Sequence, residues 1–149
     1  MTEISFLHEY NFDDKSIRFT QGTVGLYFIY LLDAAIHYPF EPSRLVYLGL
    51  SESKQNSIGR RLREHLSGRS GNECIKNYVA RHQVRFTFHT FELLRNLGSD
   101  DLYEIEGYFL RDFLQTKGAY PICNNQSGLR VLEPKIADAS VKIDWKHFS

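Results

Sequence analysis

The chain has 149 residues, 42% hydrophobic and 14% aromatic, enough for one packed domain with its own core. Its 18 basic and 18 acidic residues cancel, which excludes a uniformly basic chain that holds nucleic acid by charge alone. The start, Met1-Thr2-Glu3-Ile4-Ser5, lacks the character of a signal peptide, and the longest apolar run, Val24 to Leu32, is too short to cross a membrane, so an intracellular, cytoplasmic protein with no membrane partner is expected.

In residues 1–22, Phe6, Tyr10, Phe12, Ile17 and Phe19 are spaced like a short strand or a packed arm. Residues 23–32 are rich in β-branched and aromatic types and predict a buried strand. Asp33, Pro39, Pro42 and Ser43 mark 33–43 as a connecting loop, and 44–50 predict a second strand pairing with the first as an antiparallel hairpin. Asn56 or Ser57 can cap a helix whose Ile58, Leu62 and Leu66 form one apolar stripe, ended by Ser67-Gly68-Arg69-Ser70-Gly71. A second helix is predicted over 72–81. Strict alternation from Val84 to Phe91 predicts a half-buried strand. Ser99 or Asp101 can cap the longest helix, which runs to about Thr116 and is stopped by Gly118 and Pro121. The remainder predicts an irregular tail with short strands near Leu129–Leu132 and Val141–Ile143. The order β-β-α-α-β-α specifies an α/β chain of the α+β type: a small three-stranded antiparallel or mixed sheet flanked by helices. One domain over 1–149 is expected, with its core at about 23–126, an arm at 1–22 and a tail at 127–149.

Three groups of residues stand out chemically. Between Lys54 and Arg69, Lys54, Arg60, Arg61, Arg63 and Arg69 face one acid, Glu64, a local charge of about +4 that suits phosphates or a solvated helix face. Arg61 and His65 are four residues apart and share a helix face at the border of the apolar stripe. At about 100° per residue, Glu106 falls among Ile105, Phe109, Leu110 and Phe113, whereas Glu104 falls on the opposite face near Arg111. A carboxylate inside an apolar stripe is costly unless it is paired or binds a cation. Cys74 and Cys123 belong to no paired metal-ligand spacing, so a structural zinc site is not expected and both read as free thiols. No Ser/His/Asp order, histidine metal set or glycine-rich phosphate loop is present.

Gly25-Leu26-Tyr27 on the first strand, Tyr47-Leu48-Gly49 on the second, the basic helix Ile58 to Leu66, Glu106-Gly107-Tyr108-Phe109-Leu110, and Tyr120-Pro121-Ile122-Cys123-Asn124 occur in this order. Together they resemble the GIY-YIG nuclease superfamily, over about two-thirds of the chain. Leucine replaces isoleucine at the centre of both tripeptides, the connection between the strands is longer than usual, and 68–98 is expanded. The resemblance implies an endonuclease that hydrolyses DNA phosphodiesters, leaving a 3′-hydroxyl and a 5′-phosphate, with one magnesium or manganese ion held by Glu106. It implies Tyr27 near the attacking water as general base, with Tyr47 assisting or contacting the phosphate. Arg61 would contact the phosphate, with Arg60 and Arg63 as competing choices, and His65 lies one turn later, as in several restriction-type members. Gly25 and Gly49 would allow close approach. Asn124, or its neighbour Asn125, would tie the site together. Lys54, Arg60, Arg63 and Arg69 would hold duplex or branched DNA. The competing reading is a binding module of the same fold that lacks turnover or needs a protein partner or a second copy; a third is an unrelated α/β domain.

Overall fold

An unbroken apolar and aromatic run can only be a strand if both its faces are covered, and Gly25–Leu31 is buried at all seven positions. The computed structural model describes residues 2–124 and 141–149. In chain order it has β1 (Thr2–Ile4), β2 (Tyr10–Asn11), α1 (Asp14–Arg18), β3 (Gly25–Leu31), β4 (Leu45–Ser51), α2 (Ile58–Ser67), α3 (Glu73–Arg81), β5 (Val84–Thr90), α4 (Phe91–Leu94), α5 (Leu102–Lys117) and β6 (Val141–Ile143). The sheet order is β2-β5-β3-β4, all neighbours antiparallel. A separate two-stranded pair joins β1 and β6 in parallel. Among the described residues, no helix is long and apolar enough to cross a membrane.

Period-two alternation along β3 divides the interior in two. Leu26, Phe28 and Tyr30 face a core built with Ile105, Phe109 and Phe113 of α5. Tyr27, Ile29 and Leu31 face the other side, packed with Ile58 and Leu62 of α2 and Ile75 of α3. Tyr27 is therefore delivered to the α2 side by strand geometry alone.

The expected three-stranded sheet is corrected to four strands. Tyr10 lies 5.3 Å from Phe86 and 5.7 Å from Phe88, stacked on both, and its segment pairs with β5. Two residues carry no periodicity to read. Residues of the arm and of the last described segment join the core: Phe6, Trp145 and Phe148 pack on Phe28. Val141–Ile143 is a strand, as expected; the expected strand near Leu129–Leu132 and the alternative Asn125 lie outside the described residues.

The helix starts follow local chemistry. Ser57 caps α2 and accepts the Arg60 N–H; Asn72 caps α3 and accepts the Ile75 N–H; Asp101 caps α5 and accepts the Tyr103 N–H. Gly68 and Gly118 end α2 and α5 in the left-handed region at φ 78° and 89°. The 33–43 connection is pinned through Tyr38, whose hydroxyl donates to the Leu45 carbonyl at 2.7 Å and accepts the Ile122 N–H at 2.9 Å. It thereby ties the start of β4 to the 3-10 turn Ile122–Asn124.

The two cysteines are not free thiols. Cys74 and Cys123 form a disulfide with Cα atoms 5.3 Å apart. Their separation of 49 residues hides a contact that exists only because the first turn of α3 packs against the 3-10 turn holding Cys123.

Candidate active site

β4 is an edge strand, so its outer edge is where side chains from both faces of the sheet can meet. A cleft of about 230 Å³ opens there, lined by Tyr27, Tyr47, Arg61, Tyr103, Glu106 and Asn124 among others. A larger groove, about 460 Å³, lies elsewhere, between the first ten residues and 87–97; it is mostly apolar, and among the described residues no lysine or arginine lines it to meet a phosphate.

The pairing register makes room for the first phenol. Tyr27 is opposite Gly49, so its partner position on β4 puts no side chain in the way of its ring. A Cβ at Gly49 would lie 2.5 Å from Cζ and Oη of Tyr27 and 2.8 Å from Cε2 of Tyr47. The Tyr27 ring is fully buried and cannot swing away. Gly49→Ala is therefore expected to destabilise the fold by about 1–3 kcal/mol through overpacking, read by urea unfolding, and to displace the phenol. Gly25 has a different duty: a Cβ there would collide with the His89 backbone on β5, so it permits strand pairing and does not line the cleft.

Tyr27 Oη lies 3.0 Å from His65 Nε2, and His65 Nδ1 lies 2.8 Å from Ser70 Oγ. His65 is buried behind the phenol, with Tyr47 edge-on to it at 5.2 Å. Burial, reinforced by the positive charge of Arg61, pushes the His65 pKa down to about 4. The imidazole is thus neutral at physiological pH. Its contribution to stability is complete above the ordinary histidine pKa of 6.5 and is lost as pH falls towards 4.

Burial and then Tyr47 hold the Tyr27 pKa well above the ordinary value, opposed by the Arg61 guanidinium beside it. Burial and then Glu106 raise Tyr47, again opposed by Arg61. Burial disfavours the charge on Arg61, but Tyr27, Tyr47 and Glu64 outweigh it and keep the guanidinium protonated. Arg61 also donates to Glu64 at 3.4 Å, an i,i+3 contact on a partly exposed helix face.

Glu106 enters from α5. Its carboxyl is largely shielded from water, and burial raises its pKa to about 7. Among the described residues it has no ion pair and no set of three potential metal ligands around it. Asn124 clasps β4 from outside: its Oδ1 accepts the Leu48 N–H and its Nδ2 donates to the Leu48 carbonyl, both at 2.8 Å. The amide thus occupies the place of a missing neighbouring strand beside Tyr47.

Tyr27, Tyr47, Arg61, Glu106 and Asn124 are brought to one cleft, with His65 directly behind. Lys54, Arg60, Arg63 and Arg69 are exposed and do not line it; Arg60 donates to the Gln55 carbonyl at 3.3 Å. Two residues of the site were not singled out from the sequence. Tyr103 lies one turn before Glu106, is half-exposed, and donates to Glu52 at 2.9 Å; its i,i+3 spacing from Glu106 was a usable signal. Ser70 lies in the turn after α2, where sequence reads only a helix stop. No family model, curated protein or solved structure matches this chain.

Proposed function

We propose that this chain is an endonuclease of the GIY-YIG type that hydrolyses DNA phosphodiesters with a divalent cation. The observation that carries the reading is the meeting of Tyr27, Tyr47, Arg61 and Glu106 in one cleft at the β4 edge. Those residues come from four separate elements and from positions that the resemblance nominates in advance.

A site for magnesium or manganese fits Glu106. A poorly solvated carboxyl with its pKa near 7 and no ion pair among the described residues is stabilised by a metal that takes the proton's place. A single protein carboxylate suits magnesium, which keeps most of its own water. Once bound, such an ion supplies charge stabilisation to the scissile phosphate and the leaving oxygen.

The remaining chemistry belongs to side chains. Arg61 stays charged, and its planar guanidinium fork matches phosphate oxygens. Tyr27 with its raised pKa is a poor base by itself, but its hydrogen bond to neutral His65 offers its proton a destination. A water attacking phosphorus gives its proton to Tyr27 Oη as the Tyr27 proton passes to His65 Nε2. Tyr47, on the cleft wall beside Arg61, orients the phosphate or the water. Asn124 holds the Tyr47-bearing strand in place.

The test is cleavage of supercoiled and branched DNA by the purified protein with magnesium. Nicked or linear products are expected, and Glu106→Ala is expected to abolish them; undiminished cleavage by that variant would overturn the proposal. The neutral overall charge, which weakens unaided binding, motivates a second reading: a module of the same fold that binds without turnover or works only with a partner. It predicts DNA binding with no cleavage at any metal concentration.

A further inference from the structure

Tyr27 needs an acceptor for its proton, and the acceptor's own state is decided at a residue outside the cleft. The Tyr27 oxygen faces Arg61, which can only donate. Two neighbours can accept its O–H, the Tyr47 hydroxyl and His65 Nε2, and His65 Nε2 is the one that lies in hydrogen-bond geometry, at 3.0 Å. A neutral imidazole carries one N–H, so a bare Nε2 requires the proton on Nδ1. Nδ1 has Ser70 Oγ at 2.8 Å.

The serine is held where it can accept that proton. Its backbone N–H donates to the Glu64 carbonyl at 3.2 Å, in the turn made by left-handed Gly68. Its Oγ already accepts the Asn72 N–H at 3.3 Å, leaving a second lone pair for His65. Asn72 is itself anchored: its Nδ2 donates to the Cys123 carbonyl at 3.1 Å, and the Cys74–Cys123 disulfide closes the same junction. The turn bearing Ser70 and the turn bearing Asn124 are thus one clipped unit.

We propose that Ser70 is a positioning residue that holds His65 as its Nδ1–H tautomer, so that Nε2 can take the proton of Tyr27. This deepens the endonuclease reading and rests on it for its catalytic consequence. The protons balance: the water's proton goes to Tyr27, the Tyr27 proton goes to His65 Nε2, and the Nδ1 proton stays on the ring, donated to Ser70 Oγ, as the imidazolium forms. Without the serine oxygen, no hydrogen bond among the described residues selects Nδ1–H, and an Nε2–H imidazole cannot accept the Tyr27 proton.

The tautomer can be read without any nucleic acid. Long-range proton–nitrogen spectra of the full chain with labelled histidine, with His65→Gln to identify the ring signals, are expected to show an unprotonated Nε2 and a protonated Nδ1. Ser70→Ala is expected to shift His65 towards the Nε2–H form, and Ser70→Thr, which keeps the hydroxyl, to restore the wild-type pattern. In cleavage assays Ser70→Ala is expected to lower kcat roughly 10- to 100-fold with KM little changed, the scale seen when a histidine's orienting partner is removed, again with rescue by threonine. An Nε2–H tautomer in the wild-type chain, or a tautomer unmoved in Ser70→Ala, overturns the proposal. If Ser70→Ala fails to fold, Ser70→Gly, which also lacks the hydroxyl, takes its place in the same comparison. A chain that shows the expected tautomers but never cleaves DNA overturns the endonuclease reading and leaves this hydrogen-bond assignment standing.

Discussion

Glu106→Gln is expected to melt above the wild-type chain at pH 8 in metal-free buffer, and to lose that advantage at pH 5. The Glu106 pKa is about 7 in the fold against an ordinary 4.5. Between those values the native state keeps a proton that the unfolded state has released. Stability therefore falls as pH rises from 4.5 to 7, and the full cost is present above 7. At about 1.4 kcal/mol per pKa unit, less an allowance for residual solvent, that cost is about 2–3 kcal/mol. A glutamine of the same shape escapes it, so the gain in Tm at pH 8 is about 4–12 °C for a chain of this size. Magnesium should raise the wild-type Tm at pH 8 and leave the variant's unchanged. A lower Tm for the variant at every pH would sink the idea, because it would mean that the carboxylate is paired and structural. The same proton links activity to pH: cleavage should decline as pH falls through 7, and the midpoint should move lower as magnesium is raised, since the ion competes with the proton for one carboxylate.

Tyr27→Phe is expected to remove most of the catalytic rate while leaving DNA affinity nearly unchanged. The ring still fills the space over Gly49, so the packing survives. The lost oxygen leaves His65 Nε2 without its partner, a cost of about 1–3 kcal/mol in a buried setting. Proton transfer through a positioned side chain contributes roughly 10²- to 10⁴-fold, and a loss in kcat of that size is expected. Single-turnover cleavage alongside a binding titration separates the two effects. A variant within a few-fold of wild type would remove Tyr27 from the mechanism and shift attention to Tyr47. The pH profile offers an independent check: His65 is neutral above about pH 4, so the limb expected between pH 5 and 8 is that of Glu106 and should move with magnesium concentration, as a histidine limb would not.

The regular elements near the site were legible because their signals are local. Glu106 could be placed among Ile105, Phe109, Leu110 and Phe113 by angle counting, and all four of those neighbours are buried. Arg61 and His65 could be placed at a stripe's edge; the fold sets Arg61 on the cleft wall and buries His65 behind it. Alternation along 25–31 needed both faces covered, and two cores cover it.

What escaped the sequence shares one physical property: the partners are remote along the chain, or the segments are too short to show a period. The pairing of Tyr10 with Phe86, of β1 with β6, and of Cys74 with Cys123 depends on where other elements have already packed. Trp145 and Phe148 look like tail residues until Phe28 is seen beneath them.

Sequence by itself determined the hairpin and the capped helices α2 and α5, since strand period, helix period and cap chemistry act over a few residues; which side chains could meet in a cleft came from the resemblance to a nuclease superfamily. Tertiary structure alone decided that they do meet, in a cleft at the β4 edge of the sheet. It also decided the protonation of the site: burial drives His65 neutral and Glu106 towards its acid form, and desolvation is a property of the packed chain that no stretch of sequence contains.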